Sequence, residues 1–191
     1  MQEAIKNILI LIKEHGLSQD IYNLVHFLTF FVAIPFFMWL AKKMNVNRKR
    51  AFFALLINCA TFLVLMNLIG WIEAKLGLGN FGRKNVVTVY GWIPLICLLS
   101  AKTTKLEWNT LCTMMAPTMP FIQAVSRPGC LVAGCCKGFQ WQWGIYNANV
   151  GEYRFPMPVF EMLWMLAIVW IVIRILKRLD FKPEAWVYPF M

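Results

Sequence analysis

Residues 21–40 read IYNLVHFLTFFVAIPFFMWL, twenty positions without one formal charge. A helix of roughly 20 residues spans the hydrocarbon core of a bilayer, about 30 Å, so this stretch has the length and apolarity of a membrane crossing. Other stretches repeat the pattern. Ala51 to Ile72 holds no charge, and Pro158 to Ile173 holds only Glu161. Val86 to Ala101 and Thr110 to Val125 are shorter apolar runs, which cross if the bilayer thins or their ends snorkel. The expectation is an all-α polytopic membrane helical bundle of five crossings, with a sixth begun at Ala185. Composition agrees: 60% of the 191 residues are apolar and 15% are charged. That is far from the usage of a water-soluble domain, and the surplus apolar surface is left for lipid. No repeat, linker or low-complexity tract divides the chain, which reads as one transmembrane domain over 1–191.

The formal net charge of +10 would point to nucleic acid in a soluble protein. Here the charges follow the crossings instead. With the N-terminus outside, the inner segments (residues 42–50, 102–107 and 174–184) hold eleven cations against three anions, or +8. The rest of the chain holds the other eight cations and six anions, or +2. This is the asymmetry of the positive-inside rule, and it sets the segment after Val125 on the outer face. No basic patch with base-reading side chains accompanies it, so nucleic acid is not an expected partner. The first residues lack the basic start and small-residue cleavage site of a signal peptide. Ala4, Ile5, Ile8, Leu11 and Ile12 recur at helical spacing among Glu3, Lys6, Asn7, Lys13 and Glu14. That pattern reads as a helix lying in the membrane interface within residues 1–20, or else as an extension of the first crossing.

Two outer connections are long. Glu73 to Asn85, with Gly77, Gly79, Gly82, Arg83 and Lys84, reads as a solvated connector. Residues 126–157 are too long and too rich in glycine, aromatic and cationic residues for a passive turn, and such loops carry function. Gln123 and Arg127 stand four apart and share a helix face, and Pro128 disfavours helix beyond Arg127, which is therefore expected near a helix end. An arginine at that depth needs a polar cavity or a partner, unless it merely snorkels to lipid headgroups. Gly129 to Gly138, GCLVAGCCKG, follows directly. Its glycines permit tight turns whose amides can cradle an anion. Cys130, Cys135 and Cys136 lack CxxC spacing and a neighbouring histidine, so the spacing does not point to zinc. Packing as small apolar residues is the ordinary fate of such thiols, and of Cys59, Cys97 and Cys112 inside the helices. Pro158 suits a first helical position, which sets Glu161 in the first turn, where the helix dipole favours a carboxylate. Glu161 is also the only acid within an expected crossing and a candidate partner for Arg127.

Ala116-Pro117, Gln123-Ala124, Arg127, Gly129-Cys130, Ala133-Gly134-Cys135-Cys136, Gly138, Trp143-Gly144-Ile145 and Pro156 to Glu161 together resemble the signature of the prolipoprotein diacylglyceryl transferase family. The resemblance covers roughly residues 110–170. It is to the branch with a Gly-Cys-Cys pattern, since Cys130 stands where the best-known members have asparagine. Phe155, Pro158 and Phe160 replace that family's His, Gln and Tyr.

The resemblance implies a multi-pass enzyme of the bacterial inner membrane with its N-terminus outside. It would move a diacylglyceryl group from phosphatidylglycerol to the thiol of a lipoprotein precursor's lipobox cysteine, without metal or organic cofactor. It further implies that Arg127 binds the lipid phosphate, that Gly129 and Gly134 shape the turn beside it, and that Glu161 anchors the following helix. Gln123 and Cys130 complete the substrate-binding set. Tyr90, in a Tyr-Gly pair, is the candidate donor near the reacting centre, and His26 falls near a position where the family often has tyrosine. The sequence stops at Met191, inside what should be the family's last helix, and lacks the second arginine that the family carries beyond it: either the chain is truncated, or the activity is altered or lost. Rival readings are a related transferase with another acceptor and a non-catalytic phospholipid-binding or transport protein.

Overall fold

The computed structural model describes residues 2–77 and 91–183. Among them the elements are α1 (Gln2–Glu14), α2 (Ser18–Lys43), α3 (Arg48–Leu76), α4 (Ile93–Thr104), α5 (Trp108–Ala133), β1 (Gln140–Asn147), β2 (Glu152–Arg154) and α6 (Met157–Arg178). The molecule is an all-α membrane bundle to which one antiparallel hairpin is added.

Helices α2, α3 and α6 are long and apolar enough to cross a membrane. Rows of large apolar side chains stand exposed on them, among them Phe27, Phe31, Phe53, Val64, Leu163 and Trp170, the surface that lipid would cover. The remaining expected crossings come out differently. α4 has only 12 residues, fewer than a span needs, although part of the run from Val86 lies outside the described residues. α5 has 26, but every residue from Thr110 to Pro120 is buried. A helix shielded by protein need not be apolar, and it buries Thr110, Thr113 and Thr118 among its methionines. The sixth crossing at Ala185 and the candidate donor Tyr90 fall outside the described residues.

Two compact units divide the chain: Met1–Pro35 with Thr118–Ile171, and Phe36–Pro117 with Val172–Met191. In the second, α2 ends where Asn45 turns left-handed (φ 54). Its amide donates to Lys42 O at 3.3 Å, and that of Val46 to Ala41 O at 2.8 Å, the paired bonds of a Schellman stop. Asn47 then caps α3, its Oδ1 accepting from the amides of Lys49 at 3.0 Å and Arg50 at 3.3 Å. Small residues, Ala51 and Ala54, are fully buried on α3, which packs against α4. Trp108 at the start of α5 donates its indole N–H to Pro94 O at 2.9 Å.

The first unit contains the segment singled out in the sequence. α1 ends at its own Schellman stop: Gly16 (φ 69) donates to Lys13 O at 3.0 Å, and Leu17 to Ile12 O at 3.0 Å. It is therefore a separate helix and not an extension of α2. Polar contacts tie it to the hairpin. Gln2 Nε2 donates to Gly144 O at 3.0 Å, Lys13 Nζ to Ala148 O, and Tyr153 OH to Glu3 Oε1 at 2.9 Å.

Candidate functional site

The expectation that Pro128 ends the helix at Arg127 is corrected: α5 continues six residues further, to Ala133. Proline removes one backbone donor, and that local cost is outweighed by packing. A Cβ on Gly129 would lie 3.2 Å from Val25 Cβ and 3.4 Å from Tyr22 O of α2, so the bare glycine lets the two helices meet closely and keeps the turn after Pro128 helical. In the same stretch of α2, His26 Nδ1 lies 2.9 Å from Tyr22 O, and its ring lies 4.1 Å from that of Tyr22. An ordinary local partner thus accounts for this histidine.

The helix stops at Gly134, whose φ of +61 is in the left-handed region. Two asparagines of the hairpin clamp this end. Asn147 Nδ2 donates to Gly134 O at 3.2 Å and Asn149 Nδ2 to Ala133 O at 2.7 Å. A Cβ on Gly134 would meet Asn149 Nδ2 at 2.9 Å. The thiol of Cys135 donates to Cys130 O at 3.6 Å, taking the part that a backbone amide has in the Schellman stops of α1 and α2.

Residues 126–157, expected as a loop, are therefore the end of α5 followed by a turn and the hairpin. β1 and β2 pair antiparallel with Tyr146 opposite Tyr153 and Asn147 opposite Glu152; the register breaks between Gln140 and Ile145, both of which pair with Arg154. Arg154 holds the hairpin to the glycine turn, with Nη1 donating to Gly138 O at 2.9 Å and Nη2 to Glu152 Oε2 at 2.9 Å. Sequence reasoning missed this arginine and both asparagines. The alternation Gln-Trp-Gln-Trp before Asn-Ala-Asn-Val-Gly was the available signal.

Arg127 projects from α5 toward α6, where its Nε lies 2.9 Å from Glu161 Oε2, the side chains being 12% and 32% exposed. Glu161 is the fifth residue of α6, past the first turn. Its placement is thus accounted for by the arginine and not by the helix dipole. Both contacting atoms are buried, and the pair is too far off line to be a hydrogen bond. The attraction is one of charge. Arg127 Nη1 reaches Cys130 Sγ at 3.9 Å, and Gln123 stands half-buried one turn earlier on the same face.

The glycine stop also folds Cys135 and Cys136 back toward Cys130, so that the three sulfurs lie within 4.8 Å of one another. Hydrogen bonding to Cys130 pushes the Cys135 and Cys136 thiols up. Of the residues expected at the site, the structure brings together Arg127, Glu161 and Cys130, with Gly129 and Gly134 shaping the backbone around them. A separate open cleft of about 610 Å³ is lined by Gln140, Trp141, Gln142, Glu152 and Tyr153; none of the expected site residues lines it.

A family model described as prolipoprotein diacylglyceryl transferase matches residues 9–190. No curated protein and no solved structure matches the chain. The match runs through α2 to α6 and includes Arg127, the glycine stop and Glu161, so the chain belongs to the prolipoprotein diacylglyceryl transferase family.

Proposed function

We propose that this protein transfers a diacylglyceryl group from phosphatidylglycerol to the thiol of a lipoprotein precursor. The observation that carries the reading is the Arg127–Glu161 pair: a nearly buried guanidinium held by charge at 2.9 Å, yet not committed to that partner by a hydrogen bond. A planar cation so placed can grip two oxygens of a phosphate diester. In the reaction the acceptor thiolate attacks the glycerol carbon that bears the phosphate ester. The C–S bond forms, the C–O bond breaks, and glycerol phosphate leaves with the electron pair. Arg127 stabilises the charge gathering on that leaving group.

Gln123 and Gly129 line the approach on α5, and Glu161 fixes the arginine's orientation. On the family resemblance, Tyr90 is proposed as a hydrogen-bond donor in the reaction. The orientation that suits this reaction puts the N-terminus and the hairpin outside a bacterial inner membrane and the basic α2–α3 turn inside, with both lipid and precursor arriving from the bilayer.

The test is incubation of the purified protein with labelled phosphatidylglycerol and a lipobox peptide. The expected result is label in thioether linkage on the cysteine peptide and none on its serine counterpart. Phospholipid binding without transfer would reduce the protein to a lipid-binding relative, and transfer to some other acceptor would mark a transferase of different specificity.

A further inference from the structure

We propose that Cys130, Cys135 and Cys136 form a zinc site with three protein thiolates and one open position, and that the open position takes the acceptor thiol. Linear spacing gives no hint of it, because the site depends on the left-handed turn at Gly134. That turn lets two consecutive cysteines reach back to the last helical turn of α5. The three sulfurs lie within 4.8 Å of one another, and those of Cys135 and Cys136 are 3.8 Å apart. With zinc–sulfur bonds of about 2.3 Å, a tetrahedral site has sulfur–sulfur edges of about 3.8 Å, so the set closes on an ion with shifts under about 1 Å. None of the three is in a disulfide. The backbone carrying them is fixed by the Asn147 and Asn149 clamp, so the arrangement is built before any ion arrives.

Two further observations say what kind of site this is. Cys130 is buried while Cys135 is exposed, so one side of the cluster is open to an incoming ligand. Three protein ligands with a free fourth position are the pattern of a reactive zinc centre, whereas structural zinc takes four. Arg127 Nη1 stands 3.9 Å from Cys130 Sγ, a cation that offsets the negative charge of three thiolates on a divalent ion.

The step balances without an oxidant. Each protein thiol gives its proton to solvent as zinc binds. The acceptor thiol loses its proton on coordination, since a thiol bound to zinc is deprotonated outright. This supplies the nucleophile that the proposed reaction needs beside the arginine that holds the phosphate. The thioether product carries no charge and leaves the metal. This second part rests on the transferase reading; the metal site itself does not.

The experiment starts with the full chain purified in detergent under a non-thiol reductant. Elemental analysis should find about one zinc per chain, lost in Cys135→Ser and in Cys136→Ser and kept in Cys59→Ser. Cobalt exchanged into the wild type should show thiolate charge-transfer absorption, and a lipobox peptide should shift that spectrum while its serine counterpart does not. Folded wild-type protein without zinc and without the cobalt signal overturns the site, as does zinc retained by both serine variants. A cobalt spectrum unmoved by the cysteine peptide overturns the acceptor role. Zinc bound without any transfer leaves the metal site standing and removes the transferase reading. Full transfer by zinc-depleted protein overturns the acceptor role and leaves the transferase reading standing.

Discussion

Arg127→Lys keeps the charge and removes the geometry, which makes it the sharpest probe of the site. The arginine is held at two points, 2.9 Å from Glu161 and 3.9 Å from the Cys130 sulfur, and its planar fork can face a third group at the same time. A lysine has a single nitrogen. If it stays with Glu161 it cannot orient a phosphate, and if it turns to the phosphate the carboxylate loses its partner. A charge-assisted contact that strengthens in the transition state supplies about 3 kcal/mol, or about a hundredfold in rate. Arg127→Lys is therefore expected to lose nearly as much transfer activity as Arg127→Ala. The two differ in stability. Alanine leaves the Glu161 carboxylate unpaired, but that side chain is 32% exposed, and solvent screening holds the cost to about 1–2 kcal/mol. Restoring neutrality with Arg127→Ala/Glu161→Gln should recover stability without recovering activity. The assay is diacylglyceryl transfer to a lipobox peptide at matched protein amounts, alongside thermal unfolding in detergent. Wild-type rates in the lysine variant would show that orientation of the phosphate by this side chain is not needed, and wild-type rates in both would make Arg127 a structural residue.

Gly134→Ala forces a Cβ into the left-handed region and to within 2.9 Å of Asn149 Nδ2; a loss of about 1–3 kcal/mol in thermal or denaturant unfolding is expected, and an unchanged midpoint would mean that the clamp is dispensable. The contact of α1 with the hairpin should depend on pH. Hydrogen bonding from Tyr153 holds Glu3 below its ordinary value of 4.5, and the same bond raises Tyr153 above 10.0. By linkage the depressed carboxyl contributes stability that is present above pH 4.5 and lost as pH falls through its lowered value. The raised phenol contributes below pH 10.0 and loses that contribution as pH rises through its raised value. Protection of residues 2–14 against hydrogen exchange, referred to the intrinsic rate at each pH, should accordingly fall at the acid end in wild type, and Glu3→Gln should abolish the acid limb. A cysteine tag between Lys42 and Arg50 should react with an impermeant reagent only after the cytoplasmic side is opened; labelling of intact cells would reverse the proposed orientation.

The helices α2, α3 and α6 were legible because a charge-free run of sufficient length is a one-dimensional signal, and lipid asks nothing more specific of it. The end of α5 was misplaced for a physical reason. The penalty at Pro128 is local and visible, while the packing of Gly129 against Val25 that outweighs it depends on a residue more than a hundred positions earlier. The reading of Glu161 as a first-turn carboxylate failed similarly, because its position is accounted for by a contact across helices. Arg127, Gly129 and Gly134 were legible as residue types that need a reason. That Cys130 meets Cys135 and Cys136 was not, since it depends on one backbone angle at Gly134. The hairpin is short and half exposed, and the alternation that marks it spans only Gln140 to Trp143.

The polar ties between α1 and the hairpin impose a parity on the chain. Gln2 bonds to Gly144, and Glu3 to Tyr153, so the segment before α2 and the segment after α5 lie on one side of the bilayer. An even number of passages must then separate them. α2 and α3 have the length and apolarity for two of them. α6, leaving from the hairpin, then delivers Lys177 and Arg178 to the opposite side. That is also the side on which the α2–α3 turn with Lys42, Lys43, Arg48, Lys49 and Arg50 must emerge after a single passage. Two basic clusters far apart in sequence are thus brought to the same leaflet by counting alone.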